Sequence, residues 1–424
     1  MESILHTFQF PDGTLQRVQL VRLPDWDGLE FLRPQSSEAA LDCFARIYRK
    51  HLIPACPWIF GRLLLFRLPE DLGTDLTDAA RQLKGGGRKG RALRKALEDR
   101  DCLREVRGKL PFRKAIPVGE NCGFLTEETG GFLVNGSFFI MDPFDCATAF
   151  DHVGTPLGLQ LKNGVVENPP LYGREALLVK KDGTVTVTPL GPENLILEIG
   201  GKRYRHGENG RIFQRPRYPV TPPGRGTDLV IVGRQVVALG RCFTPVPASG
   251  FVLRLSGDPG VKVGDPVGFL GLEDCRFGIQ VGNSILRDGV PTEGFISRFY
   301  NIRRLEPVPF PPSLYPMDFA NSRAARIALG ADERGKPMVL WAEGAPKTGY
   351  QPGVHSRGAS LSDMARFCGE LGMRSAINLD GGGSAQLLFR GERALRISDR
   401  NEAGEEVERP IPMALGFGRR FLGK

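Results

Sequence analysis

Asx-Gly pairs recur between short runs of alternating apolar residues: Asn163-Gly164, Asp182-Gly183 and Asp288-Gly289. A two-residue type I′ turn needs positive φ at both central positions, which Asn, Asp and Gly tolerate best. Each pair is therefore expected to reverse the chain between two antiparallel strands. Asp332-Glu333-Arg334-Gly335 adds a fourth reversal, between Arg326–Gly330 and Met338–Ala342. With 54 glycines and 33 prolines in 424 residues, the pattern favours strands and turns over helices. The expected class is α+β: strand-rich mixed sheets with few helices, plus a small N-terminal α/β extension.

Three parts are expected along the chain. Residues 1–80 read as the α/β extension. Phe8 and Phe10 precede a turn at Pro11–Gly13, and Val18, Leu20 and Val21 follow it. Ala40, Leu41, Phe44, Ile47 and Tyr48 fall at helical spacing after Ser37. Pro54 and Pro57 end that helix, and Phe60–Phe66 reads as a strand. Residues 81–125 form a basic helical or linker segment. Between Lys84 and Lys114 stand twelve Lys/Arg against four Asp/Glu, while the whole chain carries a net +9. The rest thus sums to near neutrality. The segment 84–114 is either a solvated basic helix or linker, or a contact for an anionic polymer. No aromatic residues interleave with its cations, so nucleic acid is not an expected partner.

Residues 126–424 form the main domain. Here Val230–Leu239, Phe251–Leu255 and Phe277–Leu286 read as strands, and 205–226, rich in Arg, Pro and Gly, as a long loop. Ser360 can cap a helix whose buried stripe is Leu361, Met364, Ala365, Cys368 and Leu371, with Gly372 placed to stop it. Ser375–Leu379 and Ala385–Phe389 are then strands on either side of Asp380–Ser384.

No apolar run reaches membrane-spanning length. The eight cysteines are scattered, without CxxC or CxH spacing, so no metal-ligand set and no cofactor is predicted, although a divalent metal stays open. The first residues lack a basic leader followed by an apolar stretch. Together with the scattered cysteines this gives a cytoplasmic location as the expectation.

Chemistry concentrates on Asp380-Gly381-Gly382-Gly383-Ser384. Three successive glycines after a buried strand are entropically costly. They permit positive φ and let backbone N–H groups approach an anion. Asp380 there serves as nucleophile, as general base or as a group orienting a sugar hydroxyl; alternatively it caps its own backbone in a tight turn. No Gly-Lys-Ser/Thr follows, so this is no P-loop. A strand rather than a helix follows, so it is no dinucleotide fingerprint. Asn135-Gly136-Ser137-Phe138-Phe139 ends another strand, and Asn135 there either bonds a sugar or phosphate oxygen or makes a plain turn. Arg323 and Arg326 begin a strand, and a guanidinium fork matches phosphate bidentately. His152 and His355 read as structural or exposed.

Taken in order, several segments resemble the phosphodiester glycosidase family. They are Asn135–Phe139, Thr155–Gly158 with its Asn163-Gly164 hairpin, Pro247–Leu253, Gly282–Gly289, Arg326–Gly330, Ala376–Ser384 and Glu408–Pro412. Asn378-Leu379-Asp380-Gly381-Gly382-Gly383-Ser384 is the most specific of them. The family usually reads Arg-Thr-Ala where this chain has Arg326-Ile327-Ala328, and Gly-Gly-Gly-Pro where it has Gly282-Asn283-Ser284. Its members are often exported.

The resemblance implies a hydrolase acting on a sugar 1-phosphodiester or a phosphorylated glycan, releasing free sugar and a phosphomonoester. A phosphomonoester leaves as a stabilised anion, with a second pKa near about 6, and needs little protonation. Such a site calls for cations and N–H donors at the phosphate and one carboxylate near the anomeric carbon. On that logic Arg326, Arg409 and the Gly381, Gly382 and Gly383 amides hold the phosphate, and Asp380 is base or nucleophile. Asn135, Ser137, Asn378 and Ser384 orient the ligand. Two other readings stand beside it: a non-catalytic carbohydrate- or polyanion-binding protein on the same fold, and a metal-dependent phosphodiesterase cutting the P–O bond.

Overall fold

The computed structural model describes residues 1–34, 123–125, 131–140, 148–292 and 322–417, apart from positions 149, 153, 172, 216, 219, 347, 348, 402 and 403. The expected helix after Ser37, the strand at 60–66 and the basic segment 84–114 lie outside the described residues.

The protein is strand-rich, with one α-helix among the described residues, and none long and apolar enough to cross a membrane. The α+β class is what the structure shows. The paired strands are antiparallel rather than mixed, because tight hairpins join many of the neighbours.

A seven-stranded sheet runs in the order Glu2–Gln9, Leu15–Arg22, Pro337–Ala342, Arg326–Ala331, Ser375–Asn378, Ser284–Arg287, Val290–Pro291. Both its faces are buried, which is why its inner strands read as continuous apolar runs instead of alternating. Val21, Ile327, Leu329, Val339, Trp341 and Ile377 enter the main core. The residues between them, Leu20, Ala328, Met338, Leu340 and Ala376, pack under the Leu361–Glu370 helix through Met364, Phe367 and Cys368. A four-stranded sheet follows the order Leu387–Phe389, Phe132–Asn135, Ala414–Phe417, Leu29–Leu32.

The first 32 residues therefore do not form an α/β extension of their own. Two of their strands complete the seven-stranded sheet and the third edges the four-stranded one. The apolar residues Val18, Leu20 and Val21 mark a strand; its partner, more than 300 residues away, is set by tertiary packing.

The turns follow local chemistry. Asn163 and Gly164 have φ of 50° and 78°, and Asp288 and Gly289 have 52° and 81°, as type I′ requires. Asp182-Gly183 differs: only Gly183 is left-handed, at 92°. Its Asp182 carboxylate instead accepts the Thr184 N–H at 2.8 Å, an Asx turn with one extra residue. The helix is capped as its sequence predicts. Ser360 Oγ accepts the Asp363 N–H and Asp363 Oδ2 accepts the Ser360 N–H, both at 3.0 Å. Gly372, at φ 91°, closes the other end, with Met373 N–H donating to the Cys368 carbonyl at 2.8 Å. Within the expected loop 205–226 lies a strand, Gly210–Gln214, paired to Gly250–Leu255. Its short Ile212-Phe213 core is easily lost among the flanking Arg and Pro.

Candidate active site

The Asp380–Ser384 loop sits where the seven-stranded and four-stranded sheets meet. It leaves the buried Ser375–Asn378 strand and stays stitched to the neighbouring strand. Leu379 N–H donates to the Ile327 carbonyl and Gly382 N–H to the Ala325 carbonyl, both at 2.8 Å. From the other sheet, Asn135 grips it. Asn135 Nδ2 donates to the Asp380 carbonyl at 2.8 Å, and Asn135 Oδ1 accepts the Gln386 N–H at 3.0 Å. Asn135 was expected to touch the ligand. In the structure its amide clamps the loop backbone on both sides.

The three glycines answer three separate demands. A side chain on Gly381 would crowd the Ala325 carbonyl and the Arg326 stem. Gly382 is left-handed, at φ 62°. A side chain on Gly383 would overlap the Asp399 carboxylate. Of the three amides expected at the phosphate, Gly381 N–H bonds Asp380 Oδ1 at 2.9 Å, and Gly382 N–H bonds the Ala325 carbonyl. The glycines also let the loop pack tightly against its neighbours.

Asp380 is 7% exposed. Its Oδ2 is buried without a well-formed hydrogen bond among the described residues. Burial pushes the carboxyl up to about 6, against the opposing pull of the Ser384 hydroxyl, Arg409, the Gly381 N–H and Arg326. Both arginines are held. Arg326 is buried; its Nε donates to the Ala359 carbonyl at 3.3 Å and its Nη2 to the Ser322 carbonyl at 2.9 Å. Arg323, by contrast, is exposed. Arg409 is locked by Asp399, Nε to Oδ2 at 2.9 Å and Nη2 to Oδ1 at 3.1 Å, while its Nη1 donates to Ser384 Oγ at 3.3 Å. Gln386 Nε2 pins the Arg409 carbonyl at 2.7 Å.

Asp399 and Gln386 were not legible as site residues. Asp399 stands in Ser398-Asp399-Arg400-Asn401, which looks like any polar turn; Gly383 hints at a close neighbour without naming it. Two further polar side chains, Asn378 and Ser137, are buried, and Asn378 Oδ1 and Ser137 Oγ have no hydrogen-bond partner among the described residues. Gly282 approaches Asn378 so closely that a Cβ would lie 2.8 Å from Asn378 Nδ2. His355 is taken up locally, its Nδ1 accepting the Gln351 N–H at 3.1 Å. No group of three or more His, Cys, Asp or Glu that could hold a metal ion occurs among the described residues.

The comparisons with known proteins bear out the resemblance read from the sequence. The family model described as phosphodiester glycosidase matches residues 248–418, a span that contains Arg326, Asn378, Asp380, Ser384, Asp399 and Arg409. Curated proteins named N-acetylglucosamine-1-phosphodiester alpha-N-acetylglucosaminidase, from Mus musculus and Homo sapiens, are 37% identical over 81 residues. That stretch is 19% of this chain and 14% of each of them, so the match spans about one seventh of their length. Among solved structures, a hypothetical protein from Synechocystis has a TM-score of 0.43 at 16% identity, covering 98% of this chain and 61% of that one. The zebrafish N-acetylglucosamine-1-phosphodiester alpha-N-acetylglucosaminidase catalytic domain, auto-inhibited by its pro-peptide, has 0.37 at 15%, covering 99% and 83%.

Proposed function

We propose that this chain hydrolyses the glycosidic bond of a sugar 1-phosphodiester, releasing the free sugar and a phosphomonoester. The observation that carries this reading is Asp380: a buried carboxyl with one oxygen left without a good partner, between two anchored arginines. A carboxylate so placed is poised for proton transfer close to neutrality, where a general base works best. Asp380 takes a proton from water as the water oxygen bonds to the anomeric carbon. The bond from that carbon to the phosphate oxygen breaks, and its electron pair leaves on the phosphate. Arg326 and Arg409 supply positive charge beside the departing anion. Because each is already fixed by hydrogen bonds, little reorganisation is needed as that charge develops. Asn378 Oδ1 and Ser137 Oγ are the acceptor and hydroxyl available to sugar hydroxyls. Asn135 and Asp399 hold this set in place.

The names of the curated relatives make an N-acetylglucosamine-1-phosphodiester the first compound to assay. Hydrolysis in oxygen-18 water decides the bond cut: label in the sugar supports this reading, and label in the phosphomonoester overturns it in favour of P–O cleavage. Running the assay with and without a chelator tests the divalent-metal alternative alongside it.

A further inference from the structure

A second concentration of positive charge lies inside the described structure. From Lys202 to Arg241 the chain has nine Lys/Arg against two Asp/Glu, so the near-neutral sum outside 84–114 conceals a local excess. Much of this charge gathers at one end of a four-stranded sheet, ordered Gly210–Gln214, Gly250–Leu255, Thr227–Val232, Gln235–Gly240. There the register sets Arg211, Arg254, Asp228 and Gly240 side by side, with Arg241 next in the chain.

Arg254 and Asp228 are buried and satisfy each other, Nη2 to Oδ2 at 2.8 Å. Arg254 also donates to the carbonyls of Pro222 at 2.8 Å and Arg241 at 3.1 Å. The internal charge is thereby matched, and the covering turn at 222–226 is tied down. Outside it stand Arg211, Arg225 and Arg241 at this end of the sheet and Arg217 just past the other end of the Gly210–Gln214 strand, all exposed. None of the four forms an ion pair with a described residue. Two are steadied on rings: the Arg211 guanidinium lies 5.1 Å from the Phe213 centroid, and that of Arg217 5.3 Å from the Tyr218 centroid. Tyr218 in turn stands edge-on to Phe213 at 5.1 Å.

We infer that this arginine-bearing part of the sheet, running from Arg241, Arg225 and Arg211 along Phe213 and Tyr218 to Arg217, is a docking surface for a polymer linked through phosphodiesters, a phosphoglycan whose units the active site cleaves. The four free charges are all arginines, and the planar guanidinium fork pairs with phosphate oxygens two at a time. A row of them suits a chain with one anion per unit. Single-stranded nucleic acid fits less well, because it binds such surfaces by stacking bases on open aromatic faces. Here Phe213 is buried and Tyr218 lies under Arg217. The choice of a glycan rests on the proposed function; the binding of a phosphodiester chain does not.

The test uses the full chain and an end-labelled synthetic glycerol phosphate oligomer, with affinity followed by fluorescence anisotropy across a salt series. The variant Arg211→Gln/Arg217→Gln/Arg225→Gln/Arg241→Gln should bind at least about tenfold more weakly at low salt, with a log–log salt slope shallower by roughly 3 for four lost phosphate contacts. The matching Arg→Lys quadruple variant should keep most of the slope. Turnover of a small sugar 1-phosphodiester should be unchanged in both, since none of the four belongs to the site. Equal affinity of the Gln variant and the parent would overturn the inference. So would single-stranded DNA or phosphatidylglycerol vesicles binding as tightly and losing as much in the variant. Absence of small-substrate turnover in the parent would count against the proposed function alone, because docking is read by binding.

Discussion

Two buried aspartates in this protein have opposite surroundings. Asp151 is saturated: its Oδ1 accepts the Ser249 N–H at 2.9 Å and hydroxyl at 2.6 Å. Its Oδ2 accepts the Thr148 N–H at 2.8 Å and hydroxyl at 3.0 Å, and the Ala248 N–H at 3.1 Å. Asp380 has the Gly381 N–H on one oxygen and the pull of the Ser384 hydroxyl beside it, and its Oδ2 lacks a well-formed hydrogen bond among the described residues. Burial alone therefore does not mark a working carboxylate. A folded protein normally satisfies its buried acceptors, and a carboxylate with five donors is fastening two segments together. One that is buried and left incomplete is costly to keep, and the cost is explained by a ligand or a proton that completes it.

Two substitutions test this contrast through three measurements. Asp380→Asn should lower kcat by about a thousandfold or more, the loss expected when a general base or covalent carboxylate is removed. The parent's activity should rise with pH through about 6, where Asp380 ionises; that limb in the kcat/KM profile checks the assignment, and a variant with parental turnover removes Asp380 from the mechanism. Asp151→Asn should leave turnover of the folded fraction intact and lower stability by about 2–4 kcal/mol, since it leaves buried donors facing an NH2 group. Urea titration measures this, and a loss of turnover without loss of stability would erase the distinction between the two residues. The third effect has the opposite sign. Burial pushes the Asp380 carboxyl up to about 6 in the fold, from 3.8 for a free aspartate, so the folded state holds its proton more tightly than the unfolded chain does. That stability is fully present below the unfolded value and is lost as pH rises through about 6. Asp380→Asn should thus gain on the parent by up to about 3 kcal/mol between pH 4 and pH 7, at roughly 1.4 kcal/mol per pKa unit. A flat difference across that range would contradict the burial argument.

What could be read from the sequence follows the range of the forces involved. Type I′ turns at Asn163-Gly164 and Asp288-Gly289, the Ser360 cap and the Gly372 stop are local demands of φ and hydrogen bonding. They show within a few residues of sequence. The loop at Asp380 was legible for the same reason, as three glycines after an apolar strand. The parts that were not legible are pairings. Asp151 meets Ser249 across 98 positions, and no pattern near either residue announces the other. Asn135 has the look of a ligand contact because Asn bonds sugars and backbone equally well; only the geometry shows that the Asp380 loop takes both ends of its amide. Gly383 is another case. Its requirement comes from the Asp399 carboxylate packed on it, which is invisible until the chain has folded back.

The placement of the Leu15–Arg22 strand against Pro337–Ala342 has a consequence for the birth of the molecule. Gln16 and Glu343, joined beside that pairing by a 2.8 Å hydrogen bond, are separated by 327 positions. At about 5–20 residues per second, a ribosome needs roughly 15–65 s to deliver the later strand after the earlier one. Throughout that interval the strand carrying Val18, Leu20 and Val21 has no neighbour on its inner edge and no helix over its apolar face. Closing so long a loop adds to the folding barrier before any contact rewards it. This strand is thus sealed long after it is made, and the nascent chain carries an open edge that invites chaperones or sister chains until Pro337–Ala342 has been delivered.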